Sequence, residues 1–148
     1  MGRHCGNVDV QEIAAGSTIF LPVYVQGALL CLGDCHAIQS DGEIGSVEMR
    51  SEITLRCEVI KNREPHAGWP RVETADSLVT IGIATPLEEA ARQALREMMC
   101  WIGELTGMSK HEAYLLTGCV GAWRPGQVQV PDYSMRCIFP KKFLRERR

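Results

Sequence analysis

SLVTIGIATPLEEAARQALREMMCWIGELTG, residues 77–107, changes its hydrophobic period partway along, and that change decides the fold class. Residues 77–84 form a short β-branched and aliphatic run, the pattern of a strand buried on both faces. Thr85, Pro86 and Glu88 then make a T-P-x-E helix start, with an N-cap, a proline at the first helical position and a capping-box acid. Ala91, Leu95, Met98, Ile102 and Leu105 follow at spacings of three and four, which predicts one apolar helix face ending at Gly107. Ser109 with Glu112 opens a second, shorter helix that runs to about Gly118. The expected helical hairpin therefore occupies residues 86–106 and 110–118, with the Met98–Met99 pair packed in the core.

Strand patterns flank this hairpin. STIFLPVYV, residues 17–25, is rich in β-branched and aromatic residues between Gly16 and Gly27. Its Pro22 confines it to a sheet edge or a bulge. GALLCLG is a short apolar run closing at Gly33. The clearest alternation is SEITLRCEVI, residues 51–60, with Ile53, Leu55, Cys57 and Val59 on one face and Glu52, Thr54, Arg56 and Glu58 on the other. NREPHAGWP reads as a loop, and QVQVP and SMRCIF read as two closing strands. The expectation is an α+β protein: one domain over residues 1–148, with a β-rich, sandwich-like body and a late helical hairpin.

Composition narrows the function classes. Hydrophobic residues make up 45% and charged residues 23%, as in ordinary globular chains. A net charge of -2 lacks the basic excess that nucleic-acid binding requires. The basic residues gather in the tail KKFLRERR, leaving 11 basic against 17 acidic residues over residues 1–140; the tail reads as a solvated terminus. No apolar run approaches the roughly 18 residues that span a bilayer. MGRHCGNVDV has neither a signal-peptide core nor a myristoylation pattern. Seven cysteines, an odd number without zinc-finger pairing, suggest free thiols in a reducing cytoplasm.

GDCHAIQSDGE, residues 33–43, gathers Asp34, His36, Asp41 and Glu43 in one short segment. In an extended segment Asp34 and His36 emerge on the same face, the geometry of a bidentate metal platform. Asp41 and Glu43 repeat that spacing after a turn. Carboxylate with imidazole suits zinc better than calcium or magnesium, and a metal so held lowers the pKa of a bound water. The same residues also make an ordinary hairpin turn, because Asp and Gly tolerate left-handed backbone. His66 and His111 read as surface residues. Cys35 and His36 are strand neighbours and face opposite sides, which argues against a thiol–imidazole dyad. A structural zinc site drawn from His4, Cys5, Cys31, Cys35 and His36 lacks knuckle spacing, and no G-x-S-x-G elbow or phosphate-binding glycine loop occurs.

GNVD at 6–9, AGSTIFLPVYVQGALLCLGDCHAIQSDGE at 15–43, VEMRSEITLR at 47–56 and the closing IFPKKF together resemble the acetamidase/formamidase family. The family pattern runs from a G-N-M/V-D step through an L-P-V strand to G-D-x-H-A-x-Q-x-D-G-E and a further glutamate. The likeness is to the C-terminal half of those enzymes. It implies a β-rich fold and hydrolysis of short aliphatic amides to a carboxylate and ammonia. Carried over by position, it implies Asp9, Asp34 and His36 as ligands of a divalent metal, zinc first, with calcium or another divalent ion open. It implies Asp41, Glu43 and Glu48 as catalytic carboxylates, Glu43 or Glu48 relaying protons, and Asn7 or backbone N–H groups orienting the amide. It also implies a homo-oligomer, or association with an N-terminal half. The rival expectation is an inactive amidase-like scaffold that needs such a partner.

Overall fold

The computed structural model describes residues 1–61 and 68–144. Its centre is an antiparallel five-stranded sheet built from β1 (Thr18–Phe20), β4 (Arg71–Glu73), β5 (Ser77–Ala84), β7 (Tyr133–Pro140) and β6 (Ala122–Pro125), in that spatial order. A separate hairpin pairs β2 (His36–Gln39) with β3 (Ser46–Glu48). Helices α1 (Leu87–Thr106) and α2 (Lys110–Val120) follow one another late in the chain, as the change of period predicts. The architecture is α+β.

Strand β5 explains the layering. Its side chains alternate between two cores, so both faces are buried as its unbroken apolar run requires. Leu78 joins Met98, Trp101, Ile102 and Phe139 beneath the helices, while Val79, Ile81 and Ile83 meet Val8 and Val10 of the N-terminal segment on the opposite face. On the helical side a Cβ added to Gly82 would lie 1.9 Å from the Ala90 carbonyl oxygen. Only glycine lets α1 approach the strand so closely. Thr80 Oγ1 donates to the Ala94 carbonyl at 2.7 Å, fixing the helix along the strand. Arg71 braces the same layer by a bidentate bond to Glu104 at 2.8 Å, a bond to Glu97 and a cation–π contact with Trp101.

Several expectations change. The capping box at Thr85–Glu88 does not form: Thr85 donates to the Pro131 carbonyl, and Pro86 is the N-cap without a side-chain bond. The box at Ser109–Glu112 does form, and Gly107 closes α1 at φ 76°. The buried face of α1 is Ala90, Ala94, Glu97, Met98, Trp101 and Ile102, rotated from the expected one, and Leu105 is exposed. Sheet contact rather than periodicity alone sets that rotation. Strand β1 stops before Pro22 and lies at the sheet edge, as the proline demands. QVQVP is no strand: Ser134 takes the Gln127 carbonyl, and Val128 bonds to Gly42, so the segment becomes the β6–β7 connection. SEITLRCEVI is not a strand either, because no described strand runs beside it, and all its residues are exposed. His66 and most of the NREPHAGWP loop lie outside the described residues.

Candidate metal centre

The site lies on the sheet face opposite the helices, where the N-terminal segment and the β2–β3 hairpin are tied to β6 and β7. Ser134, which shares that face with Arg136, donates to the Val8 carbonyl at 2.7 Å. Gly42 in the hairpin turn exchanges backbone bonds with Pro125 and Val128 at 3.1 and 3.0 Å. Arg136 is fully buried and holds both Glu12, at 2.7 Å, and Asp41. Segments far apart in sequence are thereby fixed around one point.

Asp9, Asp34 and His36 converge there. One ligand atom from each lies within 4.8 Å of the others, and His36 Nε2 is 3.5 Å from Asp34 Oδ1. Asp9 and Asp34 have φ of 49° and 58°, left-handed conformations that aspartate tolerates better than most residues. His36 opens β2, its side chain nearly buried, while Asp34 stays 55% exposed at the mouth.

Gln39 touches two of the three candidate ligands. Its Nε2 donates to the Asp9 carbonyl at 2.6 Å, so its Oε1 is the atom facing His36 Nδ1 at 2.9 Å. An oxygen there requires Nδ1 to carry the proton, which leaves the Nε2 lone pair free toward Asp34 and Asp9. The Gln39 bond holds the imidazole above its ordinary pKa, with Asp34, Asp9 and Glu43 adding to the effect. Burial, with Glu43 beside it, pushes the Asp9 carboxyl up, against the Gln127 bond at 3.2 Å. Crowded carboxylates with one imidazole form a donor set that a divalent cation would relieve of its repulsion.

The remaining candidates divide. Glu43 is buried at φ 45° and accepts from Gln129, and its charge reaches both Asp9 and His36. Asp41 sits on the same turn but is engaged by Arg136 and by Arg124, the latter at 3.2 Å. Glu48 opposes His36 across the hairpin and lines an open depression with Asp34, Cys35, Met49 and Arg50. Asn7, at φ 53° and exposed, precedes Asp9 by two residues. Sequence reasoning missed Gln39, Gln127, Gln129 and Arg136. The two glutamines of QVQV share a parity, and reading that pair as polar anchors rather than strand filler would have found them.

Solved acetamidase structures share this arrangement of the chain. The acetamidase of Yersinia enterocolitica superposes with a TM-score of 0.89 at 38% identity, over 95% of this chain and 43% of its own. The acetamidase of Bacillus halodurans gives 0.87 at 36% identity, over 96% of this chain and 48% of its own. An acetamidase of Mycolicibacterium smegmatis is 46% identical over 59 residues, which are 38% of this chain and 14% of that protein. The chain thus spans a little under half the length of the solved relatives. Since the family model for acetamidases and formamidases matches residues 2–145 and the fold agrees with both structures, this chain belongs to the acetamidase/formamidase family.

Proposed function

We propose that the chain carries the metal-binding part of an amidase site that hydrolyses short aliphatic amides such as formamide or acetamide. The observation that carries this reading is the convergence of Asp9, Asp34 and His36 within 4.8 Å. Zinc is the ion that two carboxylates and an imidazole suit best, with calcium or another divalent ion as alternatives. A cation held there would polarise the amide carbonyl and make a nearby water more acidic. In this reading Glu43, which is buried and accepts from Gln129, takes a proton from the attacking water and passes it to the departing nitrogen. Water adds to the carbonyl carbon, the C–N bond breaks, and the products are a carboxylate and ammonia. Asn7 and neighbouring backbone N–H groups orient the amide, and Glu48 stands at the rim as a second proton carrier. Asp41, paired with two arginines, holds the turn that carries Glu43. Seven free thiols suit a reducing cytoplasm, and among the described residues no helix is long and apolar enough to cross a membrane.

A second reading is favoured by one observation. Large apolar side chains including Val23, Leu29, Leu32, Leu55 and Val59 are exposed, as on a scaffold awaiting a partner. Ammonia release from formamide and acetamide, with added zinc and then with excess chelator, separates the two. Release that the chelator stops and His36→Ala abolishes supports the amidase. A folded, zinc-loaded chain that releases none overturns it in favour of the scaffold.

A further inference from the structure

The carboxylates around the site have two kinds of partner. Glu12 and Asp41 are held by the Arg136 guanidinium, and Asp41 also by Arg124. Asp9 and Glu43 are held by neutral amides: Gln127 Nε2 donates to Asp9 Oδ2 at 3.2 Å, and Gln129 Nε2 donates to Glu43. Among the described residues no arginine or lysine pairs with Asp9, Asp34 or Glu43. An amide donor fixes a carboxylate oxygen without cancelling its charge, whereas an arginine competes with a cation for the same oxygens.

Both amides come from one short segment. Gln127 and Gln129 stand two apart on the β6–β7 connection, which is tied to β7, to the hairpin turn and against the N-terminal segment. The Gly126 N–H donates to the Ser134 carbonyl at 2.9 Å, and the Val128 N–H donates to the Gly42 carbonyl at 3.0 Å. Ser134 Oγ accepts from the Gln127 N–H at 2.9 Å while donating to the Val8 carbonyl. A Cβ at Gly126 would lie 2.5 Å from that same carbonyl oxygen, so the connection is pressed against the chain leading into Asp9. Gln127 is 1% exposed, and its Oε1 is buried without a hydrogen-bond partner. An orphaned buried acceptor opposes folding, and a methionine would fill the same space without one. Stability of the fold therefore does not account for a glutamine here.

We propose that Gln127 and Gln129 are positioning residues of the site, neutral donors that hold Asp9 and Glu43 in place and leave both charges to a bound cation. This rests on the amidase-site reading above. One rigid segment thereby fixes a candidate metal ligand and the candidate proton carrier together.

The test measures two quantities on the full chain: zinc affinity, by competition with a chromogenic chelator, and the urea midpoint of the cation-free protein. Gln127→Met should lower zinc affinity about 10- to 100-fold, as loss of an outer partner of a metal ligand does, with a midpoint no lower than wild type. Gln129 is exposed, so Gln129→Lys is accommodated and its ammonium pairs with Glu43. That variant should keep or raise the midpoint, yet lower zinc affinity about tenfold by cancelling a charge at the site. A purely structural role moves the midpoint and not the affinity. Zinc affinity unchanged in either variant, or a Gln127→Met chain less stable than wild type, overturns the proposal. His36→Ala tests the underlying reading separately: zinc binding that depends on His36 upholds the cation site whatever the glutamine variants do. A wild-type chain that binds neither zinc nor calcium refutes both.

Discussion

Gln39→Leu removes one side chain that touches two of the three candidate ligands while keeping its length and approximate volume. The substitution breaks the 2.9 Å bond to His36 Nδ1 and the 2.6 Å bond to the Asp9 carbonyl. Each such bond contributes on the order of 0.5–1.5 kcal/mol net. Together they predict a loss of roughly 1–3 kcal/mol in cation binding, or about 10- to 100-fold in affinity, the usual range for partners of metal-bound histidines. The loss is measured by competing the protein against a chromogenic chelator for zinc. A second readout needs no cation: the His36 pKa, followed by NMR, should fall, because the Gln39 bond is the largest cause of its elevation. In the cation-free protein a raised histidine pKa favours the folded state below about pH 6.5, and that stability disappears as pH rises through the folded value. Cation binding has the opposite dependence: protons compete for Nε2, so affinity falls as pH drops through the His36 pKa. In Gln39→Leu that fall should begin at lower pH. Gln39→Glu should behave differently, since a carboxylate still accepts from Nδ1 but repels the Asp9 carbonyl. If Gln39→Leu leaves both affinity and His36 titration unchanged while His36→Ala abolishes binding, Gln39 does not position the imidazole.

Gly82→Ala should destabilise the fold by at least the ~1–3 kcal/mol typical of overpacking, because the methyl would meet helix backbone that has no rotamer to yield; urea unfolding measures it. Arg136→Met should cost less than the ~3–5 kcal/mol of a stranded buried charge, since Glu12 and Asp41 are both partly exposed and can rehydrate. It should nevertheless slacken the hairpin turn, read as faster amide exchange at Gly42 and Glu43 than in wild type. Asp34→Asn should stabilise the cation-free chain by a few tenths of a kcal/mol at a pH above the His36 pKa, by relieving repulsion at a half-exposed carboxylate. The same variant should lose the rise in melting temperature that zinc gives the wild-type chain.

Local pattern made much of this molecule legible. The eight residues of β5 and the two helices are short-range objects, and period, proline and the Ser109–Glu112 box identify them. The partial failures share a cause. Leu105 fits the helical period yet is exposed, because the sheet beneath α1 selects a neighbouring stripe. Thr85 resembles an N-cap, but its hydroxyl is claimed by Pro131, far away in sequence. SEITLRCEVI alternates cleanly from Glu52 to Val59, yet alternation describes a strand's faces and says nothing of who occupies its edges. The site divides in the same way. Asp34 and His36 are neighbours in one motif, whereas Asp9 reaches them only through the fold, and resemblance rather than spacing identified it. Gln127 and Gln129 carry only their shared parity in QVQV as a local mark, and Arg136 carries none, because their partners lie 86 to 124 residues away.

That long-range bracing accounts for the backbone at the site. Asn7, Asp9, Asp34 and Glu43 all have positive φ, a clustering of left-handed non-glycine residues that free chains avoid. Three of the four are Asn or Asp, the types that bear this conformation most easily, and Glu43 is the exception. Glu43 is also the one most tightly enclosed, buried beneath a turn that Gly42, Asp41 and Arg136 fasten to β6 and β7. Strain at a buried carboxylate persists only where neighbouring contacts over-determine it. Repulsion among Asp9, Asp34 and Glu43 adds a second cost of the same kind. Neither cost serves the stability of the cation-free chain, and a single bound cation would offset the second directly. The fold spends its long-range contacts on holding these acids together, which is the arrangement expected of a site built to bind.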